Sequence, residues 1–401
     1  MAIEGKSDSK EGASAARRIR LGMVGGGEGA FIGAVHRIAA RLDDHYELVA
    51  GALSATPAKA QRSGRAIGLA PERIYSDHAA MARAEAMRED GIEAVAIVTP
   101  NHLHAPVATA FLRAGIHVIC DKPVTTTLKD AKALRALAAK RKLIFAVTHN
   151  YTGYPMVRHA RQMVSEGALG KVRVVQVEYS QDWLTDKLEA TGQKQADWRT
   201  DPKRSGAGGC IGDIGTHAYN LADYITRLAV TELCAELSTF VAGRKLDDNA
   251  QVMLRYANGA RGLLWASQVA PGNENGLRIR VYGDKGGIEW RQEQPNHLHW
   301  SPIGKPTQIL SRGTGAANAA AARVTRIPAG HPEGYLEGFA TLYAEIAQHL
   351  RAVRRAGDGR GPKPDKAAHF PGIEDGVKGV AFIEAVVASS KRGGRWVRLK
   401  G

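Results

Sequence analysis

Asp213 and His217 are the two residues best placed, by type and spacing, to move a proton. If a helix begins near Gly212 and continues to Thr226, their side chains are four positions apart and share one face. A carboxylate near an imidazole fixes its tautomer and raises its basicity, as a general acid or base near neutral pH requires. The same spacing occurs in surface Asp–His pairs worth only about 0.2–0.5 kcal/mol, so spacing alone does not establish the role.

A third candidate is Lys122, which stands in the sequence Asp121-Lys122-Pro123 directly after the apolar residues 117–120. Together with the earlier apolar run 92–98, this segment predicts two buried strands of a parallel sheet. Proline ends the second strand, and open α/β sheets bind ligands at the carboxyl ends of their strands. Lys122 is therefore predicted to face a cleft.

A glycine-rich loop precedes these segments and follows a predicted strand over residues 19–24, while residues 47–53 predict the next strand. The loop fits the pattern G-x-G-x-x-G/A, in which glycine permits a tight turn and lets backbone N–H groups approach a pyrophosphate at a helix N-terminus. The sequence therefore predicts a dinucleotide-binding βαβ unit. Its predicted cofactor contacts are Gly25, Gly27, Ala30, Phe31 and Ile32.

Ser54 occupies the place where an NAD-selective site usually carries an acid for the ribose hydroxyls. Lys59 and Arg62 lie on the next predicted helix and are candidates to meet a 2′-phosphate. NAD and NADP are therefore both compatible with the sequence.

The end of the strand 92–98 supplies further polar residues at the same sheet edge. His102 and His104 form an H-x-H sequence, but no carboxylate or cysteine stands nearby at ligand spacing, so no metal site is predicted. The predicted cofactor contacts at this edge are Thr99, Pro100, Asn101, His104, Asp121 and Lys122.

Composition limits the class of protein. The chain has 401 residues, of which 44% are hydrophobic, and this length predicts two domains. Its three cysteines show no disulfide or metal spacing, and no apolar run reaches membrane-spanning length, so a cytoplasmic protein without membrane contact is expected. The net charge of +15 is spread along the chain without a nucleic-acid motif, which favours solubility and a phosphorylated cofactor over nucleic-acid binding.

The predicted fold class is α/β with two domains after a disordered tail at residues 1–18. Residues 19–148 are assigned to an NAD(P)-binding Rossmann domain with a doubly wound parallel sheet. Residues 149–401 are assigned to an α+β domain for substrate binding and oligomerisation.

The second domain is expected to contain a large, mostly antiparallel open sheet, because few helices separate its predicted strands. Asn258-Gly259 lies between the predicted strands 251–256 and 261–267 and is a strong hairpin signal. Residues 311–323 are rich in glycine, alanine and asparagine and predict a mobile loop.

Taken together, these motifs resemble the glucose–fructose oxidoreductase/inositol dehydrogenase/rhizopine-catabolism (Gfo/Idh/MocA) family of NAD(P)-dependent oxidoreductases. The resemblance runs from about Arg18 to the C-terminus and rests on the glycine loop and the segments 99–104, 121–123 and 212–217. It implies a Rossmann domain followed by a sheet domain that assembles as a homodimer or homotetramer.

The resemblance also implies roles for individual residues. Lys122 matches the active-site lysine of the family, Asp213 its helix carboxylate and His217 its acid/base histidine. The family usually has glutamate at the position of Asp121, and aspartate is a shorter acid in a similar role. Candidates for the substrate pocket are Asn150, Tyr151, Trp198, Arg199 and His331.

The implied reaction is hydride transfer between nicotinamide and a secondary alcohol of a sugar, a sugar derivative or a cyclic polyol. Three alternatives use the same scaffold: an NAD-dependent, redox-neutral glycoside hydrolase, a sensor that binds NAD(P) without chemistry, and a purely structural Rossmann protein. A sensor needs none of the three acid/base candidates, and the hydrolase differs by producing no net NADH.

Overall fold

The computed structural model describes residues 17–356 and 365–399. The predicted disordered tail at residues 1–18 therefore lies almost wholly outside the described residues, as does most of a loop predicted across residues 356–366. Within the described part of the chain, no helix combines the length and the apolar character needed to cross a membrane.

The N-terminal part forms a five-stranded sheet with the strand order β2-β1-β3-β4-β5, and every neighbouring pair is parallel. This confirms the predicted Rossmann sheet. Its elements are β1 (Ile19–Gly25), α1 (Phe31–Leu42), β2 (Tyr46–Ala52), α2 (Pro57–Ala66), α3 (His78–Ala86), β3 (Ala94–Val98), α4 (His104–Arg113), β4 (His117–Cys120), α5 (Leu128–Arg141) and β5 (Phe145–Val147).

The central strand β3 shows why this sheet forms. All five of its residues are buried, as expected for a parallel strand with helices over both faces. Val95 and Ile97 pack into one apolar cluster, whereas Ala94, Ala96 and Val98 pack into another on the opposite face. Because side chains alternate along a strand, one short apolar run serves two cores.

The second part forms a nine-stranded sheet with the order β13-β12-β11-β10-β6-β9-β8-β7-β14. Only the β6–β9 pair among these strands is parallel, so the predicted mostly antiparallel sheet is confirmed. Its elements are α6 (Pro155–Ser165), β6 (Val172–Ser180), α7 (Lys194–Arg199), α8 (Pro202–Ser205), α9 (Thr216–Thr226), β7 (Val230–Ser238), β8 (Asn249–Tyr256), β9 (Arg261–Ser267), β10 (Gly276–Gly283), β11 (Gly286–Arg291), β12 (His297–Pro302), β13 (Gln308–Ser311), α10 (Ala319–Ala322), α11 (Tyr335–Ala356), α12 (Ile373–Ser390) and β14 (Val397–Arg398).

The two faces of this sheet differ. Residues such as Val175 and Leu264 point into the core, whereas Leu263 is 51% exposed on the other face and pairs in register with Met253 and Gln176. The predicted hairpin is present, because β8 and β9 are antiparallel and Gly259 has φ +90° in the turn between them.

Two late helices return to the N-terminal sheet. Phe339 and Leu342 of α11 belong to one apolar cluster of the parallel sheet, and Val377 and Val380 of α12 belong to the other. The core of the first domain is therefore completed by residues far along the chain.

The segment predicted as a mobile loop, residues 311–323, is partly regular. Asn318 caps the short helix α10 by accepting a hydrogen bond from the backbone of Ala321, and the buried Arg312 forms an ion pair with Glu333 at 2.9 Å. These contacts fix a glycine- and alanine-rich stretch that has little apolar pattern of its own.

Candidate active site

A cleft of about 880 Å³ lies between the carboxyl ends of the parallel strands and the nine-stranded sheet. It contains most residues that the sequence singled out. Those that line it are Gly25, Gly27, Ala30, Phe31, Ile32, Ser54, Lys59, Thr99, Pro100, Asn101, Asp121, Lys122, Asn150, Tyr151, Trp198, Arg199, Asp213 and His217.

His104 was expected at the cofactor groove, but the structure buries it completely behind the strand ends. Its Nδ1 lies 2.8 Å from the Pro123 carbonyl and its Nε2 lies 2.9 Å from the Thr99 carbonyl. Both ring nitrogens face backbone carbonyls, one of which accepts the single N–H of the neutral ring, so His104 lies between two strand-end loops rather than facing the cleft.

Arg62 and His331 also lie outside the cleft lining. The Arg62 side chain is 66% exposed, because its position on α2 points to solvent, and its guanidinium lies 3.5 Å from the Glu28 carboxylate. His331 is exposed, and its backbone carbonyl accepts a hydrogen bond from Arg312. The same Arg312 forms an ion pair with Glu333, and its contact with the His331 backbone holds His331 at the surface.

The glycine loop has the shape that a dinucleotide requires. Gly25 has φ +82°, a conformation that other residues rarely adopt, and a Cβ on Gly27 would lie 2.6 Å from the Leu53 carbonyl oxygen. No described side chain caps the first turn of α1, which follows Ala30, so its N–H groups remain available to an anion. The loop therefore fits a pyrophosphate.

At the far end of the loop, Ser54 and the half-buried Lys59 line the cleft beside Glu28. The Ser54 hydroxyl accepts a hydrogen bond from the Thr56 backbone at 3.2 Å. This end of the cleft therefore presents a hydroxyl and an ammonium where an acid is more usual.

Asp121 and Lys122 follow β4 directly and reach the middle of the cleft. Thr148 Oγ1 donates a hydrogen bond to Asp121 at 2.6 Å, and His36 Nε2 lies 3.7 Å from the same carboxylate. Burial opposes ionisation of Asp121, but His36, Thr148 and Lys122 outweigh it and lower its pKa below the usual range. Asp121 is therefore an anion beside Lys122.

Asp213 lies in a single π-helical turn, Ile211–Gly215, immediately before α9. Its carboxylate accepts hydrogen bonds from Lys122 Nζ at 2.9 Å, Arg199 Nε at 3.2 Å and Gln268 Nε2 at 2.9 Å. Burial opposes its ionisation, yet the two cations dominate and lower its pKa. Asp213 thus collects side chains from three distant segments of the chain.

His217 is 9% exposed and stands in an aromatic surround. The ring centroids of His149 and Tyr151 lie 5.6 Å and 4.9 Å from its own, both in edge-to-face arrangements. Burial, followed by the Lys122 and His149 charges, lowers the pKa of His217 well below its ordinary value, while Asp213 acts in the opposite direction. The imidazole is therefore neutral at pH 7 and open to a proton.

The expected direct pairing of Asp213 with His217 is not what the structure contains. The hydrogen bonds of the Asp213 carboxylate go to Lys122, Arg199 and Gln268. A carboxylate is attracted more strongly to two cations than to a neutral imidazole. Asp213 consequently acts on His217 through its charge, and the expected rise in basicity is overridden by burial.

Asp201, two residues after Arg199 in the sequence, forms an ion pair with Arg204 at 2.9 Å. Arg199 turns inward to Asp213, and its guanidinium also stacks on the Trp198 ring with 4.3 Å to the centroid. The neighbouring pair Trp198–Arg199 thus forms part of one cleft wall.

A neutral hydrogen-bond network around Asn275 also borders the cleft, and of its members only Tyr151 was a candidate from the sequence. Asn275 Oδ1 accepts hydrogen bonds from Tyr179 at 2.7 Å and from Gln181 Nε2 at 2.9 Å, and Asn275 Nδ2 donates to Gln292 at 2.8 Å. Tyr179 OH also lies 2.5 Å from Tyr151 OH. These residues lie at strand ends and loops, and isolated amides give no sequence signal there.

Two family models match the chain. The model for the oxidoreductase family with an NAD-binding Rossmann fold matches residues 19–149, and the model for the GFO/IDH/MocA C-terminal domain matches residues 157–289. The chain therefore belongs to the GFO/IDH/MocA family, in agreement with the resemblance seen in its motifs. Its N-terminal domain is an NAD-binding Rossmann domain, and the protein is an oxidoreductase.

Similar proteins span nearly the whole chain. The oxidoreductase YfiI of Bacillus subtilis is 36% identical over 95% of this chain and 97% of its own. The crystal structure of an oxidoreductase from Sinorhizobium meliloti is 55% identical, with a TM-score of 0.85 over 95% of this chain and 99% of that one.

A third comparison carries ligands. The inositol dehydrogenase homologue from Azotobacter vinelandii, solved in complex with NADH and myo-inositol, is 37% identical. Its TM-score is 0.89, and the match covers 96% of this chain and 98% of that one.

Proposed function

We propose that this protein is an NAD(P)-dependent dehydrogenase that oxidises a secondary alcohol of a sugar, a sugar derivative or an inositol-like cyclic polyol. The observation that carries the proposal is the hydrogen bond between Lys122 and Asp213, which places an ammonium, a carboxylate and the neutral His217 in the same cleft as the dinucleotide loop. The Azotobacter homologue, with its NADH and myo-inositol, supports this class of substrate.

The cofactor is assigned to the N-terminal half of the cleft. The loop of Gly25 and Gly27 and the start of α1 hold its pyrophosphate, and Ser54 and Lys59 receive the adenosine ribose. Thr99, Pro100, Asn101 and Asp121 border its nicotinamide half in this proposal. A bound nicotinamide accepts the hydride during alcohol oxidation.

His217 takes the hydroxyl proton of the substrate in this mechanism. The residue lines the cleft beside Lys122 and Asn150, so a substrate hydroxyl bound there would meet the imidazole. Because the imidazole is neutral, it accepts the proton directly, and general base help of this kind contributes about 10²- to 10⁴-fold in rate.

Lys122 stabilises the substrate oxygen as it loses its proton. Its ammonium donates to Oδ1 and the backbone oxygen of Asp213, at 2.9 Å and 2.6 Å, which leaves a third N–H for the substrate. Asp213 holds Lys122 in place and stabilises the imidazolium that forms on His217. Asn150, Tyr151, Trp198 and Arg199 are proposed to bind the remaining hydroxyl groups.

We further propose that the protein is a homodimer or homotetramer through its nine-stranded sheet. The outer face carries exposed apolar side chains next to one another, since Met253 pairs with Leu263 and Val174 pairs with Tyr282. The cysteines bear on the compartment in which the protein is proposed to act. Cys120, Cys210 and Cys234 are all free thiols, which supports a reducing compartment such as the cytoplasm.

The test is nicotinamide reduction by purified protein across inositols, aldoses, sugar acids and amino sugars, each with NAD and with NADP. Turnover of a polyol or sugar supports the proposal. Cleavage of an aryl glycoside without net NADH formation would replace it with the redox-neutral hydrolase. Cofactor binding without any turnover would favour the sensor.

A further inference from the structure

One side of the substrate half of the cleft is a segment with little regular structure. We call residues 181–199 the substrate wall, because they contribute a series of polar and aromatic side chains to the cleft and include only short helical turns. Such a segment needs outside contacts to hold its shape. Its cleft-lining residues are Gln181, Trp183, Gln193, Lys194, Gln195, Trp198 and Arg199.

Arg244 supplies these contacts from the loop between β7 and β8. It is 8% exposed and donates to the Leu184 carbonyl at 2.9 Å, the Asp186 carbonyl at 3.1 Å and both carboxylate oxygens of Glu189 at 3.0 and 3.1 Å. One guanidinium therefore fastens three points of the substrate wall, all of them between Trp183 and the Trp198–Arg199 pair.

The Arg244 guanidinium is also held by its own loop. Its Nη1 donates to Asp248 at 3.2 Å, and Asp248 is 1% exposed and accepts further hydrogen bonds from the backbone of Phe240 and Val241. The backbone oxygen of Asp248 accepts from Gln268 N at 2.9 Å, and the Gln268 side chain donates to Asp213. The loop thus contacts Gln268, one of the three hydrogen-bond partners of the proposed catalytic carboxylate.

Asp247, next in the same loop, holds the start of the catalytic helical segment. Its two carboxylate oxygens accept from Gly209 N at 2.6 Å and Ile211 N at 2.9 Å, at the start of the turn that carries Asp213. A single loop, residues 244–248, therefore contacts both the substrate wall and the helix of Asp213 and His217.

We infer that Arg244 is a positioning residue for substrate recognition, which sets the geometry of the substrate wall relative to the catalytic helix. The inference rests on the proposed function, because it assumes that the substrate occupies the half of the cleft bordered by this wall. Arg244 does not line the cleft and acts through the wall residues that it binds.

The test compares Arg244→Gln with Arg244→Lys and with the milder Glu189→Gln. The expected result for Arg244→Gln is a rise in KM for the polyol of about tenfold or more, since ångström-scale misplacement of a site costs up to ~10²-fold. The Kd for NAD, measured by fluorescence titration, should stay within about twofold. Arg244→Lys and Glu189→Gln should give smaller rises in KM, because each retains part of the contact.

The control is Arg73→Gln. Arg73 is 6% exposed and paired with Glu85 in the N-terminal domain, so this variant loses a comparable buried contact away from the substrate wall. Arg73→Gln should lower the melting temperature without raising KM for the polyol. If Arg244→Gln raises KM no more than this control does, Arg244 is merely structural and the inference is overturned.

A second readout does not depend on turnover. Amide hydrogen exchange should accelerate over residues 184–199 in Arg244→Gln while exchange in β3 and β4 stays unchanged. Unchanged exchange over the substrate wall would overturn the inference even in a protein that oxidises polyols. Conversely, faster local exchange in a protein that turns over no polyol would show that Arg244 orders the substrate wall and would reject the proposed function.

Discussion

Lys122 Nζ donates a hydrogen bond to Asp213 Oδ1 at 2.9 Å, which joins the end of β4 to the helical turn before α9. The two side chains are only 13% and 15% exposed, so the pair is shielded from water and its attraction is stronger than at a surface. A contact between the nucleotide-binding sheet and the second domain therefore lies at the proposed point of chemistry.

This pairing gives Lys122, Asp213 and His217 different proposed roles. Despite burial, the charges of Lys122 and Arg199 lower the pKa of Asp213 and keep it ionised. We therefore expect Asp213 to balance these charges rather than to exchange a proton during the reaction. We propose His217, whose pKa is depressed mainly by burial, as the group that exchanges a proton. The assignment makes His217 the most informative residue to change.

His217→Gln should lower kcat by about 10²- to 10⁴-fold, because the variant removes the proton acceptor while retaining a polar side chain. The Kd for NAD should stay near the wild-type value, since His217 lies on α9 rather than on the nucleotide loop. Steady-state kinetics and fluorescence titration measure the two quantities.

The matched control is His331→Gln, because His331 is exposed and outside the cleft lining. Wild-type kcat in His331→Gln, together with the loss in His217→Gln, would separate the two histidines that sequence alone placed in one site. Unchanged turnover in His217→Gln would remove it from the mechanism.

Cofactor preference is open to a direct test at Ser54. Ser54→Asp should weaken NADP binding by about tenfold relative to NAD, or ~1.4 kcal/mol, because a carboxylate repels a 2′-phosphate and accepts hydrogen bonds from ribose hydroxyls. Calorimetric titration with each nucleotide measures the ratio. Arg62→Ala is the control and should leave the ratio unchanged, since Arg62 points to solvent beside Glu28; a large change there would place Arg62 at the nucleotide after all.

Much of the architecture followed from local pattern. The stretch 261–267 forms β9 over the predicted residues, and the apolar run 92–98 contains β3. These strand predictions are confirmed, because hydrophobic periodicity and turn-forming residues are local properties of the sequence. The packing of α11 against the parallel sheet was not predictable in this way, because an amphipathic helix shows which face it buries but not against what.

The site shows the same limit. The carboxyl end of β4 could be placed at a cleft from sequence, and the resemblance to the family then singled out Lys122, Asp213 and His217, which all line the cleft. The partners Arg199 and Gln268 lie 14 and 55 residues from Asp213 and were fixed only by the tertiary fold. Prediction from spacing favoured the nearer His217 as the partner, and the more distant cations took the carboxylate instead.

Protonation of His117 is expected to lower the free energy of unfolding at acid pH. Its Nδ1 accepts the Ile144 backbone N–H at 2.9 Å, and burial lowers its pKa to about 4. Between pH ~6.5 and that value the unfolded chain binds more protons, so the free energy of unfolding falls as pH is lowered, by at most about 1.4 kcal/mol per pH unit.

His117→Asn keeps an acceptor for Ile144 but does not titrate, so its free energy of unfolding should depend less on pH between about 6.5 and 4. Urea unfolding at several pH values in this window measures the slope. The exposed His297→Asn should keep the wild-type slope. Equal slopes in both variants would mean that His117 contributes nothing to acid unfolding.

Leu263→Glu should convert the proposed oligomer to monomers. Leu263 is 51% exposed beside Met253 on the outer face of the nine-stranded sheet, and a carboxylate buried there in an apolar contact would lose its hydration without gaining a partner. Light scattering coupled to size-exclusion chromatography measures the mass. Met87→Glu is the matched control, because Met87 is 88% exposed after α3 in the other domain and should leave the mass unchanged. If Leu263→Glu retains the wild-type mass, the outer sheet face is not the interface; if the wild type is itself a monomer, the exposed apolar strip has no self-association role.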